Sequence, residues 1–260
     1  MSMPSHDLTK TFHSFACSGD EFSSETSELI VETPLEIVIN RKKHVLIMFT
    51  PQMIRELVVG YIFTEGLISN ITEIEECIIS LVRKEDGEQV IYAKVTIPSF
   101  KSGSGISWTK KYNGLKDGLK RVENRHRFSM DVLKGFSQRL EEFQPLYKRT
   151  GGAHAAVLYD FDGKAILHSE DMARHNALDK VIGSALIKGV PCEDKILVSS
   201  GRANLDMIRK SARAGFPVFV IMSRPTSKAV EAAEFCNITL IDLVRNTNRI
   251  HSHVHRIKEF

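Results

Sequence analysis

The stretch 195–222, KILVSSGRANLDMIRKSARAGFPVFVIM, decides the fold. It opens with a short apolar run, breaks at Ser199-Ser200-Gly201, continues at helical spacing from Asn204 to Ala214, and returns after Gly215 to a second apolar run. A strand, a helix and a second strand of these lengths make a crossover unit, and crossovers join parallel strands. Working outward, the alternation continues on both sides. Strands are expected near 155–160 and 165–169 before it and near 238–244 after it, with helices near 176–188 and 226–235. The order from His154 onward is therefore β-β-α-β-α-β-α-β. It predicts an α/β architecture, a mostly parallel sheet with helices on both faces, in which the strands ending at Ser199 and Met222 are adjacent and parallel. The first pair is the antiparallel exception, because Asp162-Gly163 is a strong hairpin signal.

The half before this unit has a different grain. Residues 29–39 (LIVETPLEIVI) and 44–49 (HVLIMF) read as two strands of a hairpin turning at Asn40 to Lys43. Thr50 reads as an N-cap with Pro51 in the first helical position, and Met53, Ile54, Leu57, Val58, Tyr61 and Ile62 then keep helical spacing up to a stop at Gly66. A strand over 89–97 and a helix over 129–143 follow. Between 99 and 116, SFKSGSGISWTKKYNGLK has no period and reads as a mobile loop. Residues 1–27 are rich in Ser, Thr and charge and read as a flexible lead-in. The expected division is thus 1–27, a smaller α+β domain over 28–148, and the α/β domain over 149–260.

Composition narrows the function classes. A net charge of +3 over 260 residues gives no basic field of the kind that nucleic acid requires. No apolar run of about eighteen residues occurs, and the N-terminus lacks a basic start followed by an apolar segment, so the sequence reads as a cytoplasmic chain without a membrane span. Cys17, Cys77, Cys192 and Cys236 are scattered without a C-x-x-C pair, the pattern of reduced thiols. His251, His253 and His255 alternate, but no Cys or carboxylate stands at fitting spacing, and no metal site is expected.

Open parallel sheets bind ligands at the carboxyl ends of their strands. Two such ends carry Ser200, Gly201 and Arg202, and Ser223 and Arg224, each ahead of a helix, where hydroxyls, arginines and backbone N–H groups suit phosphates. The alternative is that the hydroxyls only cap helices. The densest polar cluster, EDMARHNALDK at 170–180, offers Asn176 as a cap with Asp179 in a box-like relation, and leaves Arg174, His175 and Lys180 for phosphate or purine, with a solvated helix start as the alternative. A zinc deaminase needs H-x-E and P-C-x-x-C. Ala156 stands two residues after His154, and Lys195 stands where the second Cys after Pro191-Cys192 belongs, so ligands and proton shuttle are both missing.

Five blocks, ETPLEIVIN (32–40), TPQMIRELVVGYIFTEGLI (50–68), RTGGAHAAVLYD (149–160), EDMARHNALDKVIGSAL (170–186) and LVSSGRANLDMIRKSARAGFPVFVIMSRPTSKAVEAAE (197–234), resemble the FdhD family of formate dehydrogenase accessory proteins. The resemblance implies a cytidine-deaminase-like C-terminal domain and a homodimer. It further implies a sulfur carrier that takes a persulfide from a cysteine desulfurase and passes the sulfur to molybdenum bis(molybdopterin guanine dinucleotide) before insertion into apo formate dehydrogenase. GDP-like nucleotides would mimic that cargo. The family's loop motif S-G-C-G-x-C falls on residues 102–107, where Ser104 and Ser107 replace both cysteines. A hydroxyl cannot hold a persulfide, so a non-catalytic cofactor chaperone is the alternative reading. The family's cofactor segment F-x-V-Y-T-H falls on Asn248, Arg249, Ile250, His251, Ser252 and His253, with His253 as its match and His251 in the place of Tyr.

Overall fold

The computed structural model describes residues 7–85, 87, 89–100, 119–123, 126–133, 135–244 and 247–260. It begins with a long antiparallel pair, β1 (Thr9–Ser18) and β2 (Glu21–Ile30). The sequence reads most of this stretch as a flexible lead-in; the structure pairs it throughout. The strand signal is missing because most of its side chains are exposed and none is buried, so no apolar alternation marks a buried face.

β3 (Thr33–Ile39) and β4 (Lys42–Phe49) form the expected hairpin. Asn40 and Arg41 turn the chain with φ of 47° and 68°, the two positive values that a type I′ turn requires. β3 buries Leu35, Ile37 and Ile39 at alternate positions. Helix α1 (Ile54–Thr64) follows, then β5 (Glu76–Arg83) and β6 (Gln89–Thr96), completing a four-stranded sheet of order β4-β3-β6-β5. Thr50 and Pro51 do not start α1 as read from sequence: Met53 holds the N-cap position. Thr50 is instead fully buried, its N–H donating to Asp171 Oδ2 at 3.1 Å and its hydroxyl accepting from the Met172 N–H at 3.0 Å. Gly66 ends the helix as expected, with φ of 76° and its N–H on Phe63 O. The helix expected over 129–143 is split into a 3-10 turn at Met130–Leu133 and α2 (Phe136–Glu142), with Gly135 at φ 76° between them. α3 (Pro145–Thr150) leads into the second sheet.

That sheet contains β7 (His154–Tyr159), β8 (Ala165–Asp171), β9 (Ile196–Ser199), β10 (Val218–Ile221), β11 (Thr239–Val244) and β12 (Thr247–Ile250) in the order β12-β11-β10-β9-β7-β8. Its helices are α4 (Arg174–Lys188), α5 (Leu205–Ala214) and α6 (Ser227–Cys236). β9 and β10 are adjacent and parallel, as expected, and β11 extends the run. The sheet as a whole is mixed rather than mostly parallel. α4 carries the chain from β8 past β7 to β9, which leaves β7 antiparallel to both neighbours, and β12 folds back on β11. The crossover helices also share one face instead of dividing between two. Strand order advances in one direction from β9 to β11, and right-handed crossovers then stay on the same side. Ala156, Leu158, Leu197, Phe219 and Leu240 meet α4, α5 and α6 there. The opposite side, Val157, Tyr159, Ile196, Val198 and Val220, is covered by Leu133, Phe136 and Leu140 with Phe128 and Ile257.

The apolar faces of both sheets merge into one core through α1 and α4. Gly60 and Gly183 let these helices touch backbone to backbone: a Cβ on Gly60 would lie 1.8 Å from Asp179 O, and one on Gly183 would lie 1.9 Å from Glu56 O. Two buried ion pairs flank this crossing, Lys180 to Asp171 and Lys210 to Asp179, each with Nζ to Oδ2 within 2.7 Å. Among the described residues no helix is long and apolar enough to cross a membrane.

Candidate functional site

The carboxyl ends of β8, β9, β10 and β11 and the start of β7 lie along one edge of the six-stranded sheet, since His154 pairs with Asp171, Ala156 with Ser199, Ser199 with Ile221 and Ile221 with Asp242. Two polar clusters occupy this edge.

The first lies where α4 and α5 begin. Ser200 Oγ accepts the Ala155 N–H at 2.9 Å and stands 3.3 Å from His154 Nδ1, while Ser199 Oγ accepts the Gly201 N–H at 3.2 Å. Gly201, read from sequence as room for an anion, makes room for Arg174: a Cβ there would fall 2.9 Å from Arg174 Cβ and 3.0 Å from its Cδ. Arg174 Nε is buried without a hydrogen-bond partner among the described residues. A guanidinium with an unsatisfied donor, in the first turn of a helix whose dipole already favours anions, is a pairing suited to a bound anion. His175 Nε2 lies 3.4 Å from Asn204 Nδ2 and 3.5 Å from Asp206 Oδ2. Burial pushes the pKa of His175 down, and burial together with the Arg174 charge does the same to His154, so both imidazoles favour the neutral form and Arg174 is the fixed charge.

The second cluster is centred on Asp242, a carboxylate with no exposed surface at the end of the apolar run TLIDLV. His251 Nε2 lies 2.7 Å from Oδ2, and Arg224 Nε and Arg249 Nη1 stand 3.8 Å from the two carboxylate oxygens. Ser223, half-exposed, borders the same loop as Arg224.

Other residues singled out in the sequence lie elsewhere or do other work. Lys180 is fully buried, and its ammonium donates to Thr50 O at 3.0 Å and Glu170 O at 3.1 Å besides pairing with Asp171, which leaves no reach toward the edge. Asn176 does not cap α4, which begins at Arg174; its Nδ2 donates to Met48 O and Asp171 Oδ1. Asp179 accepts from Thr64 and Lys210 instead of closing a capping box. Capping does account for Asn204 and Thr226, which accept the Met207 and Ala229 N–H groups. Arg202 is exposed beside the first cluster. The segment 248–253 is dispersed: Asn248 is exposed, Ile250 packs against the second apolar core, Ser252 is buried between Ile238 O and the Leu240 N–H, and His253 turns toward Glu234 O near the end of α6. Only Arg249 and His251 of this segment reach Asp242. Ser104 and Ser107 lie outside the described residues.

Of the four thiols, Cys192 and Cys236 are buried, and burial pushes both pKa values up to about 12. Cys77 is raised by the same cause, and Cys17 alone is exposed. A buried thiol with little thiolate is a poor nucleophile.

The model of the FdhD/NarQ family matches residues 30–258. Sulfur carrier protein FdhD of Sulfolobus acidocaldarius is 32% identical over 96% of both chains, and its namesake in Bacillus subtilis is 32% identical over 92% of this chain and 94% of its own. That of Thermoplasma acidophilum is 33% identical over 91% and 89%. A crystal structure described as a formate dehydrogenase accessory protein from Desulfotalea psychrophila superposes with a TM-score of 0.78 over 96% of this chain and all of its own, at 23% identity, and so shares the fold. With a family model spanning nearly the whole described chain and relatives above 30% identity along almost their entire length, the chain belongs to the FdhD/NarQ family.

Proposed function

We propose that this chain serves the maturation of a formate dehydrogenase as an FdhD-type protein, holding molybdenum bis(molybdopterin guanine dinucleotide) as cargo along the strand-end edge of its six-stranded sheet. The observation that carries the reading is the convergence on that edge of Arg174, Arg224 and Arg249, two of them with a buried N–H group that has no hydrogen-bond partner among the described residues. Such groups are costly unless a ligand satisfies them, and guanidinium forks match phosphate oxygens. In the full reaction a cysteine desulfurase supplies sulfur, a thiol of the carrier relays it, and apo formate dehydrogenase receives the sulfurated cargo. The protein works as a homodimer in the cytoplasm.

A second reading, a chaperone that carries the cargo without relaying sulfur, is favoured by the thiols. Ser104 and Ser107 stand at the family's cysteine positions, and Cys192 and Cys236 are buried with suppressed thiolates. Two assays separate the readings. Purified protein scored for bound pterin and guanine nucleotide tests the cargo; its absence, with no GDP binding, refutes both. Incubation with a cysteine desulfurase and labelled cysteine tests sulfur relay. Little label is expected on the chain as written, and Ser104→Cys with Ser107→Cys is expected to create a reductant-sensitive labelled species. Label on Cys192 or Cys236, passed on to the cargo, would refute the chaperone reading.

A further inference from the structure

We infer that Asp242 is a positioning residue that gathers Arg224 and Arg249 into a diphosphate clamp, a subsite of the cargo edge distinct from the cluster around Arg174. The inference rests on the nucleotide-cargo reading above and adds where the diphosphate sits and what aims the residues that hold it.

The two arginines come from different parts of the chain, Arg224 from the loop between β10 and α6 and Arg249 from β12. β11 lies between those strands, and Asp242, paired in register with both Ile221 and Arg249, is the residue that faces each. A carboxylate with no exposed surface is costly to bury, and it persists here among three cationic or ionisable groups. The distances show what kind of contact this is. His251 Nε2 at 2.7 Å is a hydrogen bond, whereas both arginines stand at 3.8 Å, attracted by the charge but not consumed by it. Arg249 Nη1 and Asp242 Oδ1 are both buried without a hydrogen-bond partner among the described residues. Both arginine side chains remain partly exposed, 52% and 39% accessible, and neither guanidinium is held by Asp242 in a hydrogen bond. One carboxylate against two permanent cations leaves the cluster net positive even with His251 neutral. An anchored pair of positive, unsaturated forks at strand ends fits two adjacent phosphate groups.

The carboxylate repels phosphate if it acts only as a charge, and favours phosphate if it aims the arginines, so the sign of its removal is informative. The test is calorimetric binding of guanosine, GMP and GDP to the full chain and to the Arg224→Gln, Arg249→Gln, double and Asp242→Asn variants, each checked for folding by thermal melting. In the unmodified chain affinity should climb from guanosine to GDP. Each arginine substitution should cut the GDP-to-guanosine affinity ratio roughly tenfold, the loss of a charge-assisted hydrogen bond. Asp242→Asn should lower the same ratio while leaving guanosine affinity unchanged. If the double arginine variant keeps the full ratio, the clamp is wrong; if Asp242→Asn raises GDP affinity, the positioning role is wrong. Should Asp242→Asn fail to fold, the arginine variants still decide the clamp. GDP bound no more tightly than guanosine would overturn the clamp alone, and no binding of any of the three would overturn the cargo reading with it.

Discussion

Replacing Gly60 with Ala in the middle of α1 sets two effects of opposite sign against each other. In an exposed helix interior, Ala is better than Gly by about 1 kcal/mol. At this position the added Cβ would lie 1.8 Å from Asp179 O and 2.6 Å from Asp179 C, and both atoms belong to the α4 backbone. No rotamer change relieves a clash with backbone, so α1 and α4 must separate by more than an ångström, and the apolar side chains they share lose contact along the crossing. Overpacking typically costs about 1–3 kcal/mol; because this clash is with main chain, the upper part of that range applies, and the net effect after the propensity gain is a loss of about 2 kcal/mol. For a chain of this size a loss of 1 kcal/mol lowers Tm by about 2–4 °C, so Gly60→Ala should melt about 4–8 °C below the parent. Gly183→Ala, which brings a Cβ within 1.9 Å of Glu56 O, should behave alike. The assay is differential scanning calorimetry at fixed protein concentration. A Tm equal to or above that of the parent for either variant would show that propensity wins and that the helices do not meet backbone to backbone.

Lys180→Met should destabilise by about 3–5 kcal/mol in urea denaturation, because Asp171 would be left buried without its counter-charge; a loss below about 1 kcal/mol would mean that the pair is not buried in solution. Alkylation by iodoacetamide at pH 8 should mark Cys17 within minutes and spare Cys192 and Cys236 until the protein is unfolded, and rapid native labelling of either buried thiol by mass spectrometry would contradict their environment. Hydrogen bonds from Arg149 and Thr9 lower the Glu28 pKa to about 2 and tie the β1–β2 pair to α3. A folded value below the unfolded one means that this tie is complete above the ordinary carboxylate pKa and is lost as pH falls toward 2. Pepsin cleavage of the parent within 9–30, taken relative to Glu28→Gln at the same pH, should therefore rise between pH 4 and pH 2; a parent that already cleaves like the variant at pH 4 would argue against the tie.

The crossover part of the fold was legible because its strands are short, apolar runs between helices with clear caps, Asn204 and Thr226 among them, and the register that places Ser199 beside Ile221 follows. Which face a helix covers was not, since an amphipathic stripe states that a helix is buried but not on which side of the sheet. β5 was invisible for a related reason: as an edge strand it buries no residue completely and lacks a clean alternation. The site was half legible. Arg174, His175 and Ser200 stand at strand ends as their sequence positions suggested. Lys180 does not, because about a turn and a half farther along α4 a side chain points into the helix crossing rather than toward the edge. Asp242 passed unnoticed although the signal was present, an acid inside the apolar run TLIDLV, where a buried charge calls for partners.

The most direct test of the account is amide hydrogen exchange of the full chain with and without saturating GDP. A nucleotide lying along the strand-end edge should slow exchange at 174–175, 199–203, 222–227, 242–244 and 247–251, and should leave 189–194 and 215–217, at the opposite ends of the same strands, unchanged. Protection at those opposite ends, or in the four-stranded sheet with none along the edge, would contradict it.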